Sequence, residues 1–258
     1  MRSFWLVAIS IILVAGVCHA APFTGAEQFY EFRDISGLSG AGYGVNADGY
    51  RSLTGPVALS TPVAPTLGHN QWQFEIGKLS NTNSLAWGNL HTNGTMYLTW
   101  GNTLGHTNIA VSDMILDSHG SQSTNIQIQP QLSENSRLSL SAGIQELFGA
   151  DKSAGNNAPG DMRSSRSAFG VFSYRFQSGE HALYFSGGWG TRRFKNGFAS
   201  VSYRLLPVIR YYLEFDGWVF NQGVVFSYLV ADHGRYAIDA HIGLTDGKYP
   251  TIGFGVGF

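Results

Sequence analysis

Cysteine is almost missing: the 258 residues contain one, Cys18. It lies in an N-terminal stretch that opens Met1-Arg2-Ser3-Phe4, runs apolar to Val17 and ends Cys18-His19-Ala20-Ala21. A positive charge, a short apolar core and a small residue at the end are the parts of a secretory signal, so residues 1–20 are expected to be removed after Ala20. A lipid-modified Cys18 would need a small residue before it, where Val17 stands. Without further cysteines, a disulfide framework, thiolate metal ligation and thiol chemistry are excluded. Charge is also scarce, at 13% Asp, Glu, Lys and Arg, against roughly 25% in soluble domains. The net charge of −1 and pI near 6.7 provide no basic surface for nucleic acid. Long hydrophobic runs are lacking as well. The leader's run is shorter than the roughly 20 residues of a spanning helix, and nothing after it comes closer.

Glycine and aromatic residues are abundant, with 33 glycines and 14% Phe, Trp and Tyr, yet mean hydropathy is only −0.04. Polar and apolar residues must therefore alternate. Residues 21–70 alternate little and are rich in Gly, Ser, Thr and Pro; from Gln71 onward, period-2 segments recur between turn signals. Trp72, Phe74 and Ile76 alternate with Gln71, Gln73 and Glu75. Met96, Leu98 and Trp100 follow, then Ile126 and Ile128 between Gln127 and Gln129. Leu138, Leu140, Ala142 and Ile144 alternate with Ser139, Ser141, Gly143 and Gln145, and Phe172, Tyr174 and Phe176 with Val171, Ser173 and Arg175. Ile209, Tyr211, Leu213 and Phe215 alternate with Arg210, Tyr212, Glu214 and Asp216; Tyr236, Ile238, Ala240 and Ile242 with Ala237, Asp239, His241 and Gly243. In the last segment Ile252, Phe254, Val256 and Phe258 share one face, opposite Gly253, Gly255 and Gly257. Fainter segments lie near 107–115, 181–190, 198–204 and 218–230.

Side chains of a strand point alternately to two faces, so each segment has one apolar and one polar side. These patterns predict an all-β chain: a transmembrane antiparallel up-and-down β-barrel of about 12 strands over 71–258, most near the ~9–11 residues that cross a bilayer when tilted. Closure follows because an open sheet edge in lipid leaves unpaired backbone groups. Counting backward from Phe258 puts short connections at one end: 231–234, 205–207, 177–180, 133–136 and a piece near 101–105. Longer ones, 148–165 and 81–94 above all, fall at the other. Outer-membrane barrels keep short turns on the periplasmic side, so both termini are expected there. Trp72, Trp100, Tyr174, Trp189, Tyr203, Trp218 and Tyr228 lie near strand ends and could form interfacial girdles.

The ending Gly253-Phe254-Gly255-Val256-Gly257-Phe258 resembles the terminal signal of bacterial outer-membrane proteins, which closes on an aromatic residue after alternating apolar positions. The resemblance implies an outer-membrane location and insertion by the barrel-assembly machinery, with Ile252, Phe254, Val256 and Phe258 as the insertion signal. The run from Gly55 through Pro56, Pro62 and Pro65 to Leu67, leading to Trp72-Gln73-Phe74-Glu75-Ile76-Gly77, resembles the first segment of YjbH-like outer-membrane proteins linked to exopolysaccharide production. It departs from that pattern at Val63, where Ser or Thr is usual, and the chain is much shorter than theirs.

Motifs that carry chemistry are few. Gly37-Leu38-Ser39-Gly40-Ala41-Gly42-Tyr43-Gly44 matches no phosphate-binding loop. Of the histidines after the leader, His69, His91, His106, His119, His181 and His233 lie in or beside expected connections, without the spacing of a metal site, and no cofactor is expected. His241 and Asp239 share the polar face of one strand with Ser227 on its neighbour. However, residues two apart on a strand stand ~7 Å apart, so Asp239 is poorly placed to orient His241 as in a Ser-His-Asp set. A polar lumen network of Glu75, Arg175, Arg204, Arg210, Glu214, Asp239 and His241 is the favoured reading. Its mixed signs do not form the one-sign basic lining expected of a channel for acidic sugars. Arg163, Arg166, Arg192, Arg193 and Lys195 cluster in the longer connections, where lipopolysaccharide phosphates could pair with them. Three functions follow as expectations: a small channel or envelope accessory protein for saccharide or polysaccharide, with 21–70 plugging the lumen; a barrel enzyme acting on envelope lipids; or a structural or adhesive barrel with a filled lumen.

Overall fold

A computed structural model describes residues 55–79, 94–115, 122–133, 136–149, 166–177, 181–191, 194–217, 219–230, 236–245, 247 and 249–258. The chain forms strands β1 (Gln71–Leu79), β2 (Gly94–Leu104), β3 (Thr107–Ile115), β4 (Gln122–Pro130), β5 (Leu138–Gly149), β6 (Ser167–Gln177), β7 (Leu183–Gly190), β8 (Phe198–Leu206), β9 (Ile209–Phe215), β10 (Phe220–Val230), β11 (Tyr236–Thr245) and β12 (Tyr249–Gly257). Every neighbouring pair is antiparallel, and β1 joins β12, so the sheet is a closed 12-stranded up-and-down barrel. Fold class and strand number are as the alternation predicts, and the fainter segments are strands β3, β7, β8 and β10.

The seam is fixed at both levels of structure. Trp72 N donates to Phe258 O and Phe258 N to Trp72 O, at 2.6 and 2.9 Å. The two rings stack above those bonds with centroids 6.4 Å apart, and Trp100 packs on Trp72 from the other side at 6.2 Å. All β-even to β-odd connections lie at this end of the barrel. One detail differs from the sequence reading: β2 does not stop near Gly101 but continues to Leu104. The turn is the two-residue Gly105-His106, because Gly105 takes φ +60° and lets Leu104 pair with Thr107.

The period-2 pattern sorts as expected into an outward apolar row and an inward row. Ile76, Leu98, Ile128, Leu140, Phe172, Phe226, Ile242, Ile252 and Phe254 are exposed on the outer wall, whereas Gln73, Glu75, Thr99, Ser112, Gln127, Ser173, Ser186, Ser227 and Asp239 are buried inside. The inward row is not uniformly polar, however. Tyr97, Met114, Phe169, Val171, Phe198, Tyr212 and Val225 point inward too and are buried. They pack against chain that precedes the barrel: Gly55–Gly68, every residue of it buried, runs through the lumen without regular secondary structure.

Candidate functional site: the lumen and its strap

The path of this lumen strap can be read from its partners. Gly55 O accepts from Arg210 near the start of β9. Val57 N donates to Ser202 Oγ, at the level of Tyr212. Leu59, Ser60 and Thr61 then reach Glu214, further along β9. Past Pro62 the strap turns back. Ala64 N donates to Ser173 Oγ on β6, Gln127 Nε2 on β4 donates to Val63 O, and Thr66 N donates to Gln129 Oε1, two residues nearer the end of β4. Leu67 finally sits on the backbone of Gly101, where a Cβ would collide with its side chain and main chain. The strap is thus a loop. One limb (55–58) rises along β9, the apex (59–61) lies at Glu214, and the other limb (64–68) descends along β6 and β4. It leads through Asn70, at φ +52°, into β1 at the seam end.

Glu214 organises the apex. Its carboxylate accepts from Leu59 N (3.0 Å), Ser60 N (2.9 Å), Ser60 Oγ (2.7 Å), Thr61 N (3.3 Å), Thr61 Oγ1 (3.0 Å) and Asn221 Nδ2 (2.9 Å). Three consecutive backbone N–H groups folded around one anion form a nest. Such charge-assisted bonds are what make a carboxylate tolerable at 1% exposure. Asp216, one inward position further along, receives Val219 N, Asn221 Nδ2 and, at 3.4 Å, Ser60 Oγ.

Apolar contact fills what the hydrogen bonds leave. Val57 and Leu59 form a buried cluster with Tyr97, Met114, Tyr212 and Val225; Ala64 lies in another with Phe169, Val171, Phe194 and Phe198. Tyr212 fits because two glycines face it: a Cβ on Gly223 or Gly243 would come within 2.5 or 2.6 Å of its hydroxyl. Along β11, β12 and β1 the inner wall carries a separate polar band. Glu75 accepts from Tyr97 Oη (2.5 Å) and Gln73 Nε2 (3.1 Å), and His241 Nδ1 stands 3.8 Å from its Oε1. Asp239 and His241 lie over Gly255 and Gly253, whose missing side chains leave them room. Arg210, in electrostatic reach of Asp239, donates to Ser227 Oγ at 2.5 Å.

Glu75, Arg210, Glu214, Asp239 and His241 are therefore buried inside the barrel. Glu214 holds the strap's apex, Glu75, Asp239 and His241 belong to the β1–β11 band, and Arg210 touches both through Gly55 O and Ser227. Arg175 and Arg204 lie on the same inward rows as Tyr184 and Arg210, nearer the seam end of the barrel. They stand half-exposed at the seam end, Arg175 bonded to Tyr184 and Arg204 to Pro207 O at 2.8 Å. The buried charges are mostly acidic, Glu75, Glu146, Glu214, Asp216 and Asp239 against Arg210. Ser227 pairs with Asp239 across β10 and β11 and is held by Arg210, so the set of Ser227, Asp239 and His241 is not arranged as a nucleophile with its base. Ile252 and Phe254 are exposed outward, Val256 half-exposed and Phe258 stacked at the seam. Arg166 and Lys195 are exposed. Arg163, Arg192, Arg193, Trp218 and the glycine run 37–44 lie outside the described residues, as do residues 1–54 altogether. The sequence reading missed the strap's partners. The available signal was the set of apolar residues interrupting the inward rows, Tyr97, Met114, Tyr212 and Val225, which a water-filled lumen would not need.

No protein-family profile and no curated protein matches this chain. Solved structures do. The KdgM porin in complex with disordered oligogalacturonate superimposes with a TM-score of 0.51 at 12% identity, over 73% of this chain and 98% of that one. A second KdgM porin structure gives 0.49 at 10% identity over the same shares. A mutant of Rh. blastica porin gives 0.35 at 14%, over 64% of this chain and 55% of that chain. At 12% identity the first of these likenesses shows a shared barrel fold. The YjbH-like resemblance of residues 55–77 has no support from sequence families.

Proposed function

We propose that this chain is an outer-membrane channel for uncharged saccharides, held shut by its own strap. The observation that carries the reading is the strap itself: a buried loop threaded through a closed barrel and fastened to the wall along both limbs. A closed barrel with an apolar outer wall and aromatic residues at its ends fits a bilayer, and membrane-spanning barrels must close in this way. Residues 1–20 would be the export signal, Phe258 and the outward residues of β12 the insertion signal, and the seam end the periplasmic one. Lipid would cover the wall, and lipopolysaccharide phosphates would meet Arg166 and Lys195. The KdgM porin, whose fold this barrel shares, binds oligogalacturonate, a polyanion. The acid-rich interior here disfavours such a solute and leaves neutral sugars as the better fit.

Liposome swelling tests this reading. Vesicles carrying the protein without residues 21–68 should admit mono- and disaccharides and exclude hexuronates of the same size; vesicles carrying the whole mature chain should swell at least tenfold more slowly. Equal slow swelling for both proteins would reject the channel. Preferential uptake of hexuronate would reject the neutral solute.

A further inference from the structure

The strap's two limbs are held by different chemistry, and we infer that it opens from one side: residues 55–61 unlatch from Glu214 and swing, while residues 64–68 stay on the wall as a fixed hinge. This rests on the channel reading above. The descending limb has nowhere to go. It is continuous with β1, so its lower end is tied to the closed sheet at Gln71, and Leu67 is wedged against the backbone of Gly101. Its polar contacts, among them Ala64 N to Ser173, Thr66 N to Gln129 and Gln127 Nε2 to Val63 O and Ala64 O, are neutral bonds spread over β4 and β6, and covalent continuity reinforces them. The apex is held by a charge instead. Its attachment is concentrated on one carboxylate that gathers six donors, five of them from the strap. A fastening of that kind is cooperative. While Glu214 is bound the apex is fixed, and once it lets go three adjacent amides and two hydroxyls are freed together.

Release would also part Val57 and Leu59 from Tyr97, Met114, Tyr212 and Val225, the apolar contact that fills the lumen between β2 and β10. The gap would therefore open along β9, β10, β2 and β3, beside the band of Glu75, Asp239 and His241. The strap against β4 and β6 would keep its place. Pro62, at the bend between the apex and the descending limb, supplies a stiff corner about which the rising limb can turn.

Paired cysteines in the full mature chain separate this hinge from its alternatives, since the only native cysteine, Cys18, precedes the expected cleavage site. Val57→Cys with Ser202→Cys, whose backbone and side chain already meet at 3.2 Å, ties the rising limb. Ala64→Cys with Ser173→Cys, in contact at 2.9 Å, ties the descending one. Planar-bilayer recordings in 1 M KCl would be made oxidised and reduced, with formation of each disulfide checked by mass. The expected result is that the rising-limb tie abolishes spontaneous openings, that dithiothreitol restores them, and that the descending-limb tie leaves their frequency within twofold of the untied protein. Glu214→Gln should raise the open-to-closed ratio at least tenfold. Openings silenced by the descending-limb tie, whether alone or together with the other, would overturn the hinge. Openings that survive the rising-limb tie would overturn the latch. A barrel without residues 21–68 that stays non-conducting would instead reject the channel reading on which the hinge rests.

Discussion

The Glu214 carboxylate should control the strap's local stability far more than any other single side chain, and amide hydrogen exchange can measure this residue by residue. The perturbation is Glu214→Gln, which keeps volume and one acceptor oxygen. It replaces the other oxygen with an NH2 aimed at the donors Leu59 N, Thr61 N and Thr61 Oγ1 or at Ser60 N and Oγ, whichever side the amide turns. Hydrogen bonds to a charged group contribute ~1.5–3 kcal/mol each, and a buried donor left facing another donor costs ~1–3 kcal/mol. Losing two such bonds, with partial relaxation of the apex, takes about 3 kcal/mol from the local opening free energy. The exchange rates at Leu59, Ser60 and Thr61 should then rise by on the order of a hundredfold. Ala64 and Thr66, whose amides bond Ser173 and Gln129 instead, should change by less than threefold. Unchanged exchange at 59–61 would mean that burial alone protects the apex, refuting the argument from Glu214. An equal rise across 57–66 would mean the strap opens as one piece.

Gly101→Val should displace the descending limb, because the new side chain needs the space Leu67 occupies. The barrel itself should persist, with its far-UV strand signal intact, while a protease site engineered near residue 66 becomes cleavable. Gly243→Leu would drive into the Tyr212 hydroxyl and break the apolar cluster under Val57 and Leu59; thermal unfolding should drop by several degrees, and the double variant with Tyr212→Ala should recover part of the loss. Tyr97→Phe removes the 2.5 Å donor to Glu75 and should destabilise the barrel by about 1.5–3 kcal/mol in urea unfolding, whereas Tyr97→Phe combined with Glu75→Gln should cost less than the sum of the single changes. Phe258→Ala loses the stack on Trp72 at the closing seam, and the yield of heat-resistant folded barrel in membranes should fall severalfold relative to wild type.

The barrel was legible from sequence because its physics is local. A strand with one face outward and one inward must alternate, so Ile252 to Phe258 and Leu138 to Gln145 announce their faces without reference to any other part of the chain. Strand ends were legible where a turn residue marks them. The β2–β3 connection, expected near 101–105, falls later because Gly101 lies within β2 and receives Leu67, while the turn belongs to Gly105. The interior was less legible because its pairings span most of the chain. Nothing near Glu214 in sequence reveals that its partners are residues 59–61, separated from it by 153–155 positions. Arg175 and Arg204 share the inward rows, as alternation predicts, but stand half-exposed. Parity fixes the face of a residue but not its depth, and both lie close enough to a strand end for their long side chains to reach the rim. Tyr97, Met114, Phe169 and Val225 show the complementary case. Apolar residues on an inward row signal that something apolar enters the lumen, and the strap's Val57, Leu59 and Ala64 are what enters.

Single-channel conductance of the mature protein, compared with a form lacking residues 21–68, tests the central claim most directly. A barrel shut by its own strap predicts long closed intervals with rare openings for the whole chain and a steady open level once the strap is removed. Steady conductance from the whole chain, or silence from both forms, would contradict it.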